Sequence, residues 1–314
     1  MRTPDFFILG VQKAGTTTLA DLFEATPGLT MTRPKEPMFF CADDMEVQFS
    51  NLFRQPSSWQ RFDWEGGREA LLGEYAASYA HASPEEKVGD GSTTTLLSRR
   101  ALERIAQTCP RARHLVLLRD PVRRAYSAYW HAIRGGLHAE SFETTLRAGR
   151  DSLLRYGLYA QHLRVLYSIV PREQVLVLHF EDLARDQAAV WREAVTFLGL
   201  PAEPPPKLEE THANAAFYPK SLWLHRQLAG LQGAHNDQMP PVTWLPAEAR
   251  EGLQAAVSAG KSRAKQLYRQ VLMSQRKPAE ADPQTVQTLR EFYRRENKGL
   301  DELVGRDMVK LWGW

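Results

Sequence analysis

Cysteine is scarce in this chain of 314 residues, which contains only Cys41 and Cys109. Two thiols cannot form a disulfide framework, and neither has partners at metal-ligand spacing. A stapled secreted scaffold and a zinc module are therefore excluded, and a reduced cytoplasm is the expected compartment. An excess of one charge is absent too. The 40 Lys and Arg stand against 37 Asp and Glu, a formal net charge of +3, which gives nucleic-acid binding no support from bulk charge. No apolar run is long enough to span a bilayer, and the first residues follow a strand pattern, not that of a secretory signal. Internal repeats are lacking, and the one biased tract is a proline stiffener at 203–207.

What the chain does have begins at residue 6. Phe6-Phe7-Ile8-Leu9-Gly10-Val11 reads as a buried strand, Gln12-Lys13-Ala14-Gly15 as a tight loop, and Thr16-Thr17-Thr18-Leu19 as a helix start. Small residues let backbone N–H groups close on an anion, the helix points its positive end at the same place, and Lys13 adds a full charge. The order differs from the nucleotide-triphosphate loop, in which lysine follows the second glycine, because here Lys13 precedes Gly15. A plain ATPase or GTPase is disfavoured. A second strand-to-helix junction follows at His114-Leu115-Val116-Leu117-Leu118-Arg119-Asp120-Pro121, continuing through Arg124 and Ser127. A strand-end arginine can grip a phosphate bidentately, and a hydroxyl within the next helix can reach the same oxygens.

Together these motifs resemble the sulfotransferases that use 3′-phosphoadenosine 5′-phosphosulfate (PAPS), and in particular the heparan-sulfate and glycan O-sulfotransferase branch. The resemblance implies that Lys13, Ala14, Gly15, Thr16, Thr17 and Thr18 hold the 5′-phosphosulfate and that Arg119 and Ser127 hold the 3′-phosphate. Lys35-Glu36-Pro37-Met38-Phe39-Phe40 resembles the segment whose glutamate is the catalytic base, which implies that role for Glu36. Gly73-Glu74-Tyr75-Ala76-Ala77-Ser78-Tyr79 looks like the family's Glu-x-Ser-x-x-Tyr strand end, with Tyr75 where the glycan-modifying enzymes have lysine. Ser274-Gln275-Arg276-Lys277-Pro278 stands where the family has a Lys-Gly-Arg loop, so Arg276 is carried over as a further 3′-phosphate contact. Family members of the Golgi carry an N-terminal anchor. A start at Met1 instead favours a bacterial-type cytoplasmic enzyme.

The expected fold is α/β in three layers: a central, mostly parallel sheet with a P-loop-like phosphate loop, helices on both faces and a C-terminal helical lid. Strands are expected at 6–11, 70–74, 115–119 and 175–180, with helices from Thr16, near Leu96, and from Val122, Tyr159 and Ala188. Further helices are expected at 219–232 and 246–273. One domain spans 1–314: a nucleotide core over 1–200, an acceptor-selecting region over 201–273, and the 3′-phosphate loop with the last helix over 274–314.

The expected reaction is in-line sulfuryl transfer to a hydroxyl or amine of a glycan or small metabolite, releasing 3′,5′-ADP. Lys13 stabilises the leaving oxygen, Glu36 takes the acceptor proton, and no metal is needed, since no aspartate cluster adjoins either phosphate motif. Glu74, His81, His131, His138 and His179 stay open as competing bases. Among the aromatics, Trp59, Trp64, Trp130, Trp223 and Trp244 are core or interface residues, or stack on adenine. A kinase-like phosphoryl transferase and a non-catalytic nucleotide-binding protein are the alternative functions. Monomer and homodimer both remain open, with neither nucleic acid nor membrane as partner.

Overall fold

The computed structural model describes residues 2–44, 62–134, 140–148, 152–202, 218–222, 273–274 and 280–314. Five strands form one sheet: β1 (Phe6–Gly10), β2 (Leu29–Met31), β3 (Lys87–Asp90), β4 (Arg113–Leu118) and β5 (Val175–His179). Their order is β2-β3-β1-β4-β5, and each neighbouring pair is parallel. All five residues of β1 are buried, so both of its faces are covered, as a central parallel strand requires. Phe6, Phe7, Ile8 and Leu9 are each no more than 1% exposed. Burial of such side chains stabilises by about 1.5–3 kcal/mol apiece, which anchors the loop that follows.

The chain leaves β1 for β2 and β3 on one side and reaches β4 and β5 on the other, so the order reverses at β1. Open α/β sheets bind ligands in the crevice at the carboxyl ends beside such a reversal. The loop after β1 and the junction after β4 both open there. The described helices include α1 (Thr16–Glu24), α2 (Trp64–Ala76), α3 (Arg99–Thr108), α4 (Pro121–Arg134), α5 (Phe142–Arg147), α6 (Ser152–Arg155), α7 (Tyr159–Tyr167), α8 (Phe180–Arg185) and α9 (Gln187–Phe197). Three more, α10 (Pro283–Glu296), α11 (Leu300–Val304) and α12 (Met308–Trp312), complete the described elements.

Two expectations change. The run at 70–74 lies inside helix α2, not in a strand. Asp63 caps this helix by accepting the Gly66 N–H at 2.9 Å, and Trp64, Leu71 and Tyr75 form its buried stripe. The strand expected there is β3, whose Lys-Val-Gly-Asp sequence carries one strong strand former. Its place is set by packing, because a Cβ on Gly89 would lie 2.2 Å from the Phe6 ring. Secondly, Pro219 and Met273, expected at helix ends, belong to a two-stranded antiparallel ribbon of β6 (Tyr218–Pro219) and β7 (Met273–Ser274). Residues 223–232 and 246–272 of the expected helices lie outside the described residues.

The chain groups into two compact units. One comprises Met1–Ala128, Arg150–Glu210 and Pro283–Trp314, and the other Tyr129–Gly149 and Thr211–Asp282. In the first, Asn297 after α10 accepts the Ala160 N–H at 3.0 Å and donates to the Gly157 carbonyl at 2.9 Å, docking the last helices on α7. In the second, Tyr129 packs on Phe142 at 5.3 Å and Trp130 on Tyr218 at 5.4 Å.

Candidate active site

The loop after β1 is held in a conformation that only a few residues tolerate. Lys13 has φ +71° and Gly15 φ +91°. Gly15 is required on a second count, since a Cβ there would meet Leu183 Cδ2 at 2.9 Å and Phe180 Cδ2 at 3.0 Å. Gly15 is also the N-cap of α1, where no side chain caps the helix. The N–H groups of Thr16, Thr17 and Thr18 thus form an uncapped helix start with its positive dipole end at the crevice. Ala14 is fully buried, and its amide donates to the Val11 carbonyl at 3.2 Å. It shapes the loop from inside.

Arg119 stands at the end of β4. Its Nη1 donates to the Lys13 carbonyl at 2.9 Å, so the two phosphate motifs, 106 residues apart, are in direct contact. Its guanidinium lies 4.2 Å from the centre of the Phe180 ring. The Tyr159 hydroxyl donates to the Arg119 carbonyl at 2.7 Å. Burial pulls the Arg119 pKa below its ordinary value, opposed by the neighbouring Glu181 carboxylate. Its Nε is buried without a partner, a donor available to an anion. Asp120 heads α4, and its Oδ1 accepts the N–H groups of Val122 (2.8 Å) and Arg123 (3.0 Å). Ser127, half-buried, lies two turns into the same helix on the face that Asp120 heads.

Glu36 adjoins this pair through β3. Its Oε2 accepts from Thr93 Oγ1 at 3.2 Å, and its Oε1 pairs with Lys35 Nζ at 3.1 Å. The Thr93 carbonyl lies so close to Gly10 that a Cβ on that glycine would be 2.9 Å from it. The Gly91 amide donates to the Lys35 carbonyl at 3.0 Å. The segment after β3 thereby ties Lys35 and Glu36 to the root of the Lys13 loop. The Glu36 side chain is 29% exposed, open enough to meet a substrate. Beneath it Asp90 is buried, accepting from Tyr75 at 2.6 Å and from the Ser92 amide at 2.7 Å, and burial pushes its carboxyl pKa up.

The described competing bases have the following surroundings. Glu74 is exposed on α2, away from any strand end. Tyr75 serves as the donor to Asp90, and Tyr79 donates to the Arg2 carbonyl at 2.7 Å. His81 contacts the Met31 carbonyl at 3.1 Å beside β2. His131 contacts Arg134 at 2.9 Å in the second unit. Burial, with the Arg306 charge acting the same way, lowers the His179 pKa to about 4. Trp64 is core, with the Arg104 guanidinium 4.7 Å from its ring. Cys41 and Cys109 are buried thiols pushed up to about 12 by burial, hence unreactive. Arg276, His138, Trp59, Trp223 and Trp244 lie outside the described residues.

Residues 4–204, the span that carries both phosphate motifs and Glu36, match the model described as the sulfotransferase family. The chain belongs to the sulfotransferase family. That family is one of PAPS-dependent sulfotransferases, which favours sulfuryl transfer over the phosphoryl-transferase and non-catalytic alternatives. The chain is similar to human bifunctional heparan sulfate N-deacetylase/N-sulfotransferase 3, with 28% identity over 223 residues covering 63% of this chain and 22% of that protein. Mouse heparan sulfate glucosamine 3-O-sulfotransferase 3B1 is 26% identical over 205 residues, covering 63% and 46%. The chain thus spans less than half the length of either relative. The crystal structure of a sulfotransferase from Alicyclobacillus acidocaldarius superposes over 100% of both chains with a TM-score of 0.65 at 22% identity, which shows the shared fold. Among the described residues, no helix is long and apolar enough to cross a membrane.

Sequence reasoning missed the supporting residues. Phe180 and Leu183 wall the Lys13 loop, and Thr93 and Asp90 hold the Glu36 segment. The strand-to-helix step at His179-Phe180 was the available signal for the first pair. The second pair follows a strand too short to announce itself.

Proposed function

We propose that this sulfotransferase moves a sulfuryl group from PAPS to a hydroxyl or amine of a glycan or small metabolite, with Glu36 as general base. The supporting observation is the continuous set of contacts from Arg119 to the Lys13 carbonyl and, through Gly10 and Thr93, to Glu36. It brings a 3′-phosphate grip, a 5′ cradle and a carboxylate to one edge of the sheet. The residues fit the donor: Gly15 leaves a loop that a Cβ would close, and Arg119 keeps a buried donor atom to offer.

In this reading the N–H groups of Thr16, Thr17 and Thr18 hold the 5′-phosphosulfate, while Arg119 and Ser127, with Arg276, hold the 3′-phosphate. Glu36 accepts the acceptor's proton as the new S–O or S–N bond forms. Lys13 meets the charge that grows on the bridging oxygen as the old S–O bond breaks. Thr93 and Lys35 orient the base. Lys13, Arg119 and the start of α1 neutralise the charge without a metal in this reading.

The assignment of 201–273 to acceptor choice, the single catalytic domain and a cytoplasmic location belong to the same proposal. The test is Glu36→Gln. We expect kcat to fall by about 10²-fold or more, the scale of a lost general base, with 3′,5′-ADP affinity unchanged. A Glu36→Gln enzyme that retains most of its turnover in a labelled-PAPS transfer assay would disprove the base assignment.

A further inference from the structure

The start of α4 is held in part by residues well beyond the 4–204 span that matches the family. Asp120 is 3% exposed and accepts three hydrogen bonds. Two come from its own helix, Val122 N–H at 2.8 Å and Arg123 N–H at 3.0 Å, both to Oδ1. The third comes from the indole N–H of Trp314, 194 residues later, which donates to Oδ2 at 3.2 Å. The backbone N–H of Asp120 is itself held by Glu181 Oε1 at 3.0 Å.

Trp314 is fixed in turn. After α12 the chain reverses at Gly313, with φ +69°, and the Trp314 amide donates to the Val309 carbonyl at 3.0 Å. Its ring lies 5.1 Å from that of Trp312, and the Trp312 ring lies 5.9 Å from that of Tyr159. The Tyr159 hydroxyl donates to the Arg119 carbonyl at 2.7 Å. The two tryptophans therefore reach both residues at the junction of β4 and α4, one through Asp120 and one through Tyr159.

This matters because Asp120 is a buried carboxylate next to the guanidinium meant for a phosphate. A negative group there opposes an incoming anion and competes for Arg119 unless local donors absorb its charge. The helix amides supply two such donors on one oxygen, and the Trp314 indole supplies the donor on the other.

We propose that the 312–314 segment is a latch for the 3′-phosphate half of the site. In it, Trp314 is a positioning residue that directs the Asp120 carboxylate away from the bound phosphate and leaves Arg119 to the ligand. This rests on the assignment of Arg119 and Ser127 to the 3′-phosphate.

The experiment measures 3′,5′-ADP and 5′-AMP affinities by calorimetry for the full chain, its Trp314→Phe variant, and both again in an Asp120→Asn background. Trp314→Phe keeps an aromatic ring and removes the N–H. We expect it to weaken 3′,5′-ADP about tenfold, the scale of leaving one lone pair of a buried carboxylate unpaired, and to leave 5′-AMP unchanged. KM for PAPS rises with it, while kcat at saturation holds. In the Asp120→Asn background, where no charge needs a donor, the same substitution changes 3′,5′-ADP affinity by less than about twofold, as independent sites would.

If the unmodified protein binds 3′,5′-ADP no better than 5′-AMP, the 3′-phosphate assignment fails, and the latch with it. If it discriminates but Trp314→Phe weakens both nucleotides equally, or neither, the latch alone is overturned. Should Trp314→Phe not fold, Trp314→Leu, which also removes the indole N–H, decides: a selectivity unchanged from the unmodified protein overturns the proposal, and a loss confined to 3′,5′-ADP supports it.

Discussion

The halves of the anion site stand at the ends of adjacent parallel strands and are built in opposite ways. After β1, a loop in left-handed backbone leads to a helix that no side chain caps, so the amides of the first turn face the crevice. After β4, the helix start is already filled by its own Asp120, whose Oδ1 takes the Val122 and Arg123 amides. In the proposed reading that half binds through side chains, Arg119 and Ser127. Fixed backbone dipoles need no rearrangement while a reaction proceeds, which suits the group where charge develops. A guanidinium fork adds geometric selectivity and suits a phosphate that identifies the nucleotide but does not react. The hydrogen bond from Arg119 to the Lys13 carbonyl joins the halves.

Breaking the reactive half should have the largest effect. Lys13→Ala removes the mobile charge of the cradle, and we expect kcat/KM to fall by about 10²–10³-fold, the cost of one donor to a developing oxyanion, with kcat carrying much of the loss. Steady-state transfer from labelled PAPS checks this, and a loss confined to KM would mean that the β1 half also serves only for recognition. Altering the recognition half should cost less. Arg119→Lys keeps the charge and loses the fork, so 3′,5′-ADP affinity should drop about tenfold toward that of 5′-AMP while kcat at saturation stays within a few-fold. A thermal-shift series with both nucleotides reads this through linkage. The smallest effect belongs to metal removal: exhaustive EDTA treatment should leave activity within a few-fold. Loss of activity that Mg²⁺ restores would show that an ion, not the backbone cradle alone, meets the charge in the reactive half.

Legibility differed between the two sides of β1. The β1 loop, β4, β5 and the helices after them were readable because each is a contiguous signal: an apolar run, then a turn residue, then a helix start. Lys13, Gly15 and Arg119 were nameable from such local patterns, whereas Glu36 was named through the resemblance of its segment to the family. The β2–β3 side was not. Ala70-Leu71-Leu72-Gly73-Glu74 looked like a strand but lies in a helix, because its stripe spacing from Trp64 to Tyr75 and its Asp63 cap outweighed the short apolar run. The residues of β3 carry little intrinsic preference, and they form a strand because β1 and β2 lie on either side to complete their backbone hydrogen bonds.

What the sequence determined by itself is therefore the chemistry of the two motifs and their order along the strands. Glycine placement, strand-end arginine and helix starts are local, and local geometry follows from residues a few positions apart. Only the tertiary structure decided which groups hold those motifs in place. Thr93 on Glu36, Phe180 on Arg119 and Trp314 on Asp120 are separated from their partners by 57, 61 and 194 residues. Such pairings exist only once the sheet is assembled, since burial and packing, not chain proximity, bring them into contact.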